Sequence, residues 1–278
     1  TAPMVLDVGS WAAPVGVSLV ADRLTLMMLI VSLIVTVGVL IYSSSQSVSR
    51  DESASPMPVY YPSYLVLSAG VSDAFLAGDL FNLYIGFEIL LAASFVLITL
   101  GGTRSRVRSG TVYVVVSLFS SAVFLIGIAF TYAAVGTVNM AQLAIRLSEL
   151  PEPTRILLQA TFLVAFGIKA AIFPLSAWLP DSYPTAPAPV TAVFAGLLTK
   201  VGVYAIIRTQ FLLFPGGALD TILAVLGMFT MIVGILGAIA QDDIKRMVSF
   251  TLVSHIGFMV WGISLSSEAG LGAAIVYA

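Results

Sequence analysis

The sequence predicts an all-α polytopic membrane protein, and three observations support this fold class. Hydrophobic residues make up 59% of the 278 residues, and charged residues make up only 9%, whereas soluble domains average about 25% charged residues. The mean hydropathy is +1.05. Apolar stretches near the roughly 20 residues that a helix needs to cross a bilayer recur along the chain. Helices are expected for them because lipid offers no partner for unpaired backbone groups.

We expect eight membrane spans and the beginning of a ninth near residue 269. The Ser-rich stretch 43–58 is expected to be a polar loop, and 137–150 either a short interfacial helix, capped by Thr137 or Asn139, or an ordered loop. The expected spans are 24–42, 59–78, 80–100, 111–135, 156–179, 186–207, 221–240 and 247–265.

Both ends of the sequence indicate a piece of a longer protein. The chain begins at Thr1, and after Glu268 it continues for only ten apolar residues, to Ala278. Ten residues are too few to cross a bilayer as a helix. We therefore expect the chain to be an internal part of a larger subunit.

Basic residues near the span ends predict the orientation. Arg104, Arg106 and Arg108 follow the third span, and Lys245 and Arg246 precede the eighth. An alternating path places both groups on one side of the membrane. Lys and Arg concentrate on the cytoplasmic side, so we expect that side to be cytoplasmic and the first span to begin outside.

The fifth span and the connection after it are expected to be irregular. Lys169 is followed by Pro174, which lacks an N–H and clashes with the carbonyl of Ala170, so we expect a helix break one turn after the lysine. The next connection, YPTAPAPV, contains three prolines and cannot form a regular helix. Transporters use broken helices where protein or water solvates the freed backbone. A simple packing kink is the alternative.

Four titratable side chains lie alone within apolar stretches: Glu88, Lys169, Lys200 and His255. An ionised side chain at mid-depth costs roughly 3 kcal/mol or more, and residues retained at that cost usually move ions or protons. Glu88 has the alternative of a structural ion pair or an interhelical hydrogen bond. For either lysine the alternative is an ammonium that reaches the membrane surface, and for His255 it is a structural role.

His255 is expected to belong to a polar patch. Thr251 lies four residues earlier, on the same helical face, and Ser254 is adjacent. Histidine titrates near pH 6.5, which suits a proton relay. A metal site is not expected, because there is one His, no Cys, and no carboxylate at ligand spacing.

The composition excludes several other classes of function. A net charge of −2 argues against nucleic-acid binding. The absence of cysteine excludes thiolate metal sites, iron–sulfur clusters and disulfides. We find no phosphate loop, catalytic triad or dinucleotide fingerprint, so neither a cofactor nor ATP-driven transport is expected.

Three long runs carry a resemblance to a known family. They are GDLFNLYIGFEILLAASFVLITLGG, VAFGIKAAIFPLSAWLPDSYPTAPAPVTAVFAGLLTKVGVYAIIR and GAIAQDDIKRMVSFTLVSHIGFMVWG. Together they resemble the antiporter-like subunits shared by multisubunit Mrp cation/proton antiporters and respiratory complex I. The first run and the early LVADRLTLMMLIVSLIV look more like the D-type subunit of Mrp antiporters than like the complex I subunits.

The resemblance implies a fold of inverted five-helix repeats within a subunit of fourteen transmembrane helices, located in the bacterial cell membrane. Residues 1–58 would hold family helix 3 and the serine-rich loop, 59–214 the first repeat, and 215–278 the start of the second. Four positions match by motif: Glu88 the helix 5 glutamate, Lys169 the lysine of broken helix 7, Lys200 the helix 8 lysine, and His255 a helix 10 position that is often His. The family's helix 12 lysine has no counterpart here.

These expectations lead to one hypothesis and two alternatives. The hypothesis is a proton-translocating subunit of a sodium/proton antiporter with Mrp-type partner subunits, a secondary transporter rather than an enzyme. Glu88 and Lys169 would form a charge pair, and a proton would pass through Lys200 toward His255. One alternative is a proton-pumping subunit of complex I or a related oxidoreductase. The other is a scaffold whose buried charges only lock helix packing.

Overall fold

The computed structural model describes residues 3–45 and 57–278, which form a mainly helical fold. A short antiparallel hairpin, β1 (Met4–Asp7) and β2 (Ser18–Ala21), precedes the helices and was not predicted. The helices are α1 (Arg23–Ser45), α2 (Met57–Leu76), α3 (Leu80–Ile98), α4 (Arg104–Val135), α5 (Met140–Arg146), α6 (Glu152–Ala170), α7 (Trp178–Ser182), α8 (Ala188–Leu213), α9 (Asp220–Ile239), α10 (Ile244–Ser264) and α11 (Glu268–Tyr277).

Within the described ranges, six helices are long and apolar enough to cross a membrane: α1, α3, α4, α8, α9 and α10. The other two predicted spans form helices that contain more polar residues. α2 includes three tyrosines and Asp73, and α6 includes Glu152, Arg155 and Lys169. Both still pack in the interior, α2 along α3 and α6 between α4 and α8. Most of the predicted loop 43–58 lies outside the described residues.

Helix caps fix several boundaries. Asn139 caps α5 by accepting from the amides of Ala141 and Gln142, which confirms a short helix in 137–150. Asp79 caps α3 by accepting from the amide of Asn82 at 2.6 Å. Such caps satisfy amides that the first helical turn leaves unpaired.

α4 begins at residue 104, seven residues before the predicted position, 111. Thr103 caps the helix by accepting from the amide of Arg106. The side chain of Arg106 donates to the carbonyls of Leu100 and Thr185, at 3.0 and 3.1 Å. The polar RSRVR run was expected to lie beyond the span, but its backbone is helical and one of its arginines anchors two loops.

The helix break occurs earlier than predicted. α6 ends at Ala170, directly after Lys169, rather than one turn later. Ala171 has a left-handed φ of 60°, and the amides of Ala171 and Ile172 donate to Ile168 and Gly167. This pattern is a Schellman motif, which terminates helices and usually has glycine at the left-handed position. Because alanine occupies it here, no residue type before Pro174 indicated that the helix would stop.

Side chains from outside α6 satisfy backbone groups that the break exposes. The indole N–H of Trp178 donates to the carbonyl of Ile168 at 3.0 Å. The amide of Phe173 donates to the hydroxyl of Thr230, on α9, at 3.0 Å. That hydroxyl in turn donates to the carbonyl of Leu226 at 2.6 Å. Because lipid cannot hydrogen bond to these groups, the fold supplies partners from α7 and α9.

α8 departs from regular α-helix twice, and it contacts α6 closely. Residues Phe194–Leu198 and Thr209–Leu213 form π-helical turns on either side of the segment that holds Lys200. A Cβ atom added at Gly202 would lie 2.8 Å from the amide nitrogen of Ala170, so glycine is required for this approach. The contact brings α8 against the end of α6, one residue after Lys169.

An ion pair joins α8 to the start of α1. The guanidinium of Arg208 donates to both carboxylate oxygens of Asp22, at 2.5 and 2.7 Å. It also donates to the hydroxyls of Thr25 and Tyr204. Burial would raise the pKa of Asp22, but the hydrogen bonds from Arg208 and Thr25, together with the charge of Arg208, outweigh that effect and lower it. The pair therefore fixes the start of α1 against α8.

Replacing Thr230 by valine should destabilise the protein by about 1–3 kcal/mol, because the amide of Phe173 would lose its acceptor away from water. Valine has nearly the same shape, so packing should change little. The measurement is thermal unfolding of the detergent-purified protein. Thr131→Val is the matched control: Thr131 is equally buried and bonds only the carbonyl of Gly127 in its own helix.

Thr230→Ser keeps the hydroxyl and should restore most of the lost stability. If Thr230→Val unfolds at the same temperature as Thr131→Val, the hydrogen bond across the break does not contribute as described.

Candidate proton-transfer site

Lys169 lies at the C-terminal end of α6, buried to 8% exposure. Its ammonium donates to the hydroxyl of Ser121, on α4, at 3.1 Å. It also lies 4.7 Å from the ring centre of Phe87, on α3, at a distance typical of a cation–π contact. The carbonyls at a helix C-terminus favour a cation, so the break itself supports the charge.

Glu88 follows Phe87 on α3 and is partly buried. One of its carboxylate oxygens, Oε1, is sealed from solvent and has no hydrogen-bond partner in the part of the chain that the structure describes. The ion pairs among the described residues do not include Glu88 with Lys169 within 4 Å. The expected charge pair is therefore not a direct contact, because Ser121 and Phe87 take the positions nearest the ammonium.

Lys200 is partly buried and bonds its own helix. Its ammonium donates to the carbonyl of Ala195, five residues earlier, at 3.2 Å. Ala195 lies within the π-helical turn, where wider hydrogen-bond spacing alters which carbonyls are free. The side chain thus follows α8 toward its N-terminal end.

The structure divides the polar patch expected around His255. His255 is exposed in the described residues, and its Nδ1 lies 2.6 Å from the hydroxyl of Tyr277 on α11. Thr251 lines the same cleft as His255. Ser254 instead points to α9, where it donates to the carbonyl of Met231 at 3.1 Å. It therefore packs α10 against α9 and does not join the patch.

A small buried cavity adjoins Lys169. Its volume is about 20 Å³, enough for one water molecule. Apart from Lys169, the polar side chains in its wall belong to Tyr113, Ser117, Trp178 and Tyr183. The hydroxyl of Tyr183 is buried and has no hydrogen-bond partner among the described residues. A water molecule needs two to four polar partners, and these groups provide them.

A larger cleft lies on the other side of Tyr183. Its volume is about 470 Å³, and it lies between α8 and α10. Its wall includes Tyr183, Ala195, Lys245, Thr251 and His255. The cleft therefore extends from Lys245, in the first turn of α10, to Ala195, whose carbonyl accepts the hydrogen bond from Lys200.

Sequence reasoning missed Ser121, Tyr183, Trp178 and Thr230. A signal existed for the first, because Ser117 and Ser121 are four residues apart on one face of an apolar helix. Tyr183 is the first residue of the proline-rich connection. The prolines indicated an irregular backbone there, but they did not indicate which side chain would be buried. Pro174 lies in the connection between α6 and α7, after the point where the helix has ended.

Three kinds of comparison identify related proteins. The chain is 44% identical over 277 residues to the D-type subunit of the Na(+)/H(+) antiporter of Alkalihalophilus pseudofirmus, covering 98% of this chain and 55% of that protein. Against the Bacillus subtilis protein of the same name, identity is 39% over 275 residues, with the same shares. The chain thus spans about half the length of the curated relatives it matches.

Solved structures agree. The Mrp complex from Dietzia sp. DQ12-45-1b matches with a TM-score of 0.91 and 33% identity, over 99% of this chain and 51% of the matched chain. An archaeal respiratory membrane complex, the membrane-bound sulfane sulfur reductase, matches with a TM-score of 0.88 and 27% identity, over 94% of this chain and 53% of the matched chain.

The family described as NADH:quinone oxidoreductase/Mrp antiporter, TM matches residues 77–278, which include all four candidate titratable residues. The apolar helices agree with this membrane family. The chain is a multi-pass membrane protein that belongs to the NADH:quinone oxidoreductase/Mrp antiporter transmembrane family.

Proposed function

We propose that this chain is part of a proton-translocating subunit of a multisubunit sodium/proton antiporter in the bacterial cell membrane, working with Mrp-type partner subunits. The observation that carries the proposal is the environment of Lys169. Its ammonium is buried and contacts a hydroxyl and an aromatic ring rather than a carboxylate. An amine held by neutral partners can gain and lose a proton without breaking a contact ion pair.

In this proposal the proton moves among separated groups rather than along one chain of bonded side chains. Glu88 affects Lys169 from the neighbouring helix through its charge, Lys200 takes the proton along α8, and His255 receives it at the cleft. Residues 59–214 would form the first inverted repeat and 215–278 the start of the second. The names of the relatives support sodium as the exchanged cation. The chain would act as a transporter subunit without enzymatic activity.

The second candidate is a proton-pumping subunit of a redox-driven membrane complex. The structural match to an archaeal respiratory complex favours it, and the family includes both kinds of assembly. Purification of the intact complex distinguishes the two. Small membrane subunits alone support the antiporter, whereas flavin or iron–sulfur proteins in the same assembly support the redox-driven pump.

Replacing Lys169 by alanine in the full-length subunit should abolish sodium-driven proton movement in inverted vesicles, because the exchangeable amine would be removed. Glu88→Ala should abolish it as well, since the charge that acts on Lys169 would be lost. Arg155→Ala is the control, because Arg155 lies near the start of the same helix, far from the break. All rates are divided by the amount of assembled complex.

Normal exchange in Lys169→Ala would reject the proposed function. A lower yield of complex, with normal exchange per complex, would instead support the scaffold alternative.

Ser121→Ala should slow transport by about tenfold, the equivalent of a hydrogen bond to a charged group worth roughly 1.5 kcal/mol. Ser120→Ala is a closely matched control. Ser120 is adjacent and equally buried, but its hydroxyl donates to the carbonyl of Ala165 rather than contacting the lysine. The measurement is the initial rate of exchange at saturating sodium. Equal rates in the two variants would show that Ser121 does not position the amine.

A further inference from the structure

We propose that Tyr183 is the proton gate between the small cavity at Lys169 and the larger cleft whose wall includes Lys245 and His255. This inference rests on the proposed function and adds a relay residue to it. Of the described residues, Tyr183 alone lines both spaces. This residue is therefore the point at which the two spaces adjoin.

The hydroxyl of Tyr183 has the properties of a relay group. The residue is only 1% exposed, and its hydroxyl has no hydrogen-bond partner in the described part of the chain. Buried polar groups are nearly always paired, so an unpaired one needs an explanation. The cavity beside it has room for one water molecule, and Lys169 and Ser117 lie in the same wall. That water would give the hydroxyl a partner and connect it to the amine.

Proton transfer through Tyr183 leaves the phenol and the cavity water chemically unchanged. A phenol hydroxyl is both a donor and an acceptor. The ammonium of Lys169 gives a proton to the cavity water and becomes a neutral amine, and that water gives a proton to the phenol oxygen of Tyr183. The phenol's own proton passes to water in the cleft, which passes a proton on to the imidazole of His255, where a new N–H bond forms. The phenol and the cavity water each end with as many protons as they began with.

The surroundings of Tyr183 hold the ring as a wall between the two spaces. Its ring packs edge-on against Trp178, with ring centres 5.7 Å apart. It also packs at a tilt against Phe194, with ring centres 5.6 Å apart. The hydroxyl of Thr191 donates to the carbonyl of Tyr183 at 2.9 Å. Because the connection is fixed at both backbone and ring, the hydroxyl can act without opening a continuous water channel.

A role in packing alone predicts a different outcome from a role in proton transfer. Tyr183→Phe keeps the ring and both aromatic contacts and removes only the buried hydroxyl. If Tyr183 only packs, the variant should assemble and transport as the native protein does. If its hydroxyl relays protons, transport should fall while assembly and the apparent affinity for sodium stay the same.

The first test measures sodium-driven proton movement by the assembled full-length complex in inverted vesicles. Tyr183→Phe should reduce the maximal rate at least tenfold with an unchanged sodium KM. The matched control is Tyr60→Phe: Tyr60 is equally buried but lies on α2 and lines neither space. Lys169→Ala is measured alongside. A native rate in Tyr183→Phe with no transport in Lys169→Ala overturns the gate and leaves the proposed function standing. Native rates in both overturn the two together.

The second test needs no change at Tyr183 and uses the absence of cysteine from the 278 residues. Ser117→Cys places a thiol in the wall of the small cavity, and Ala195→Cys places one in the wall of the cleft. A small methanethiosulfonate reagent should label Ala195→Cys at least tenfold faster than Ser117→Cys. As a further check, adding Tyr183→Ala to Ser117→Cys should remove most of that difference. If the two thiols are labelled at equal rates while Tyr183 is present, Tyr183 does not separate the cavity from the cleft, and the proposal is overturned.

Discussion

The end of α6 is the constraint on which the rest of this structure depends. A helix that stops inside a membrane exposes backbone groups that lipid cannot satisfy. Here the Schellman turn at Ala171 pairs some of them within the chain, and Trp178 and Thr230 pair two others from α7 and α9. Because each partner comes from a different helix, the position of the break determines how α6, α7 and α9 pack together. It also places Lys169 at a helix end, where a cation is favoured.

The environment of Lys169 follows from that packing. Gly202 allows α8 to approach the end of α6, and Ser121 and Phe87 approach it from α4 and α3. The result is a buried ammonium with neutral contacts and a small cavity beside it. Glu88 is adjacent to Phe87 in the sequence but makes no direct contact with Lys169. The proposed function depends on this separation, in which the carboxylate acts on the amine only through its charge.

The sequence predicted most of the helical fold because apolar length and lone charges are local signals. Residue types indicated the cap at Asn139, the short helix in 137–150 and the irregular YPTAPAPV connection. The early end of α6 could not, because alanine rather than glycine occupies the left-handed position. The π-helical turns of α8 and the partners Ser121 and Thr230 depend on contacts between distant segments, which spacing along the chain does not encode.

The most direct test of the account is whether Lys169 changes its protonation state during transport. With lysine labelled with nitrogen-15, the signal of Lys169 is the one that disappears in Lys169→Arg. In proteoliposomes of the assembled complex, reversing the proton gradient should convert this signal between ammonium and amine forms. A signal that keeps one form under both gradients, while transport proceeds at its normal rate, would contradict the account.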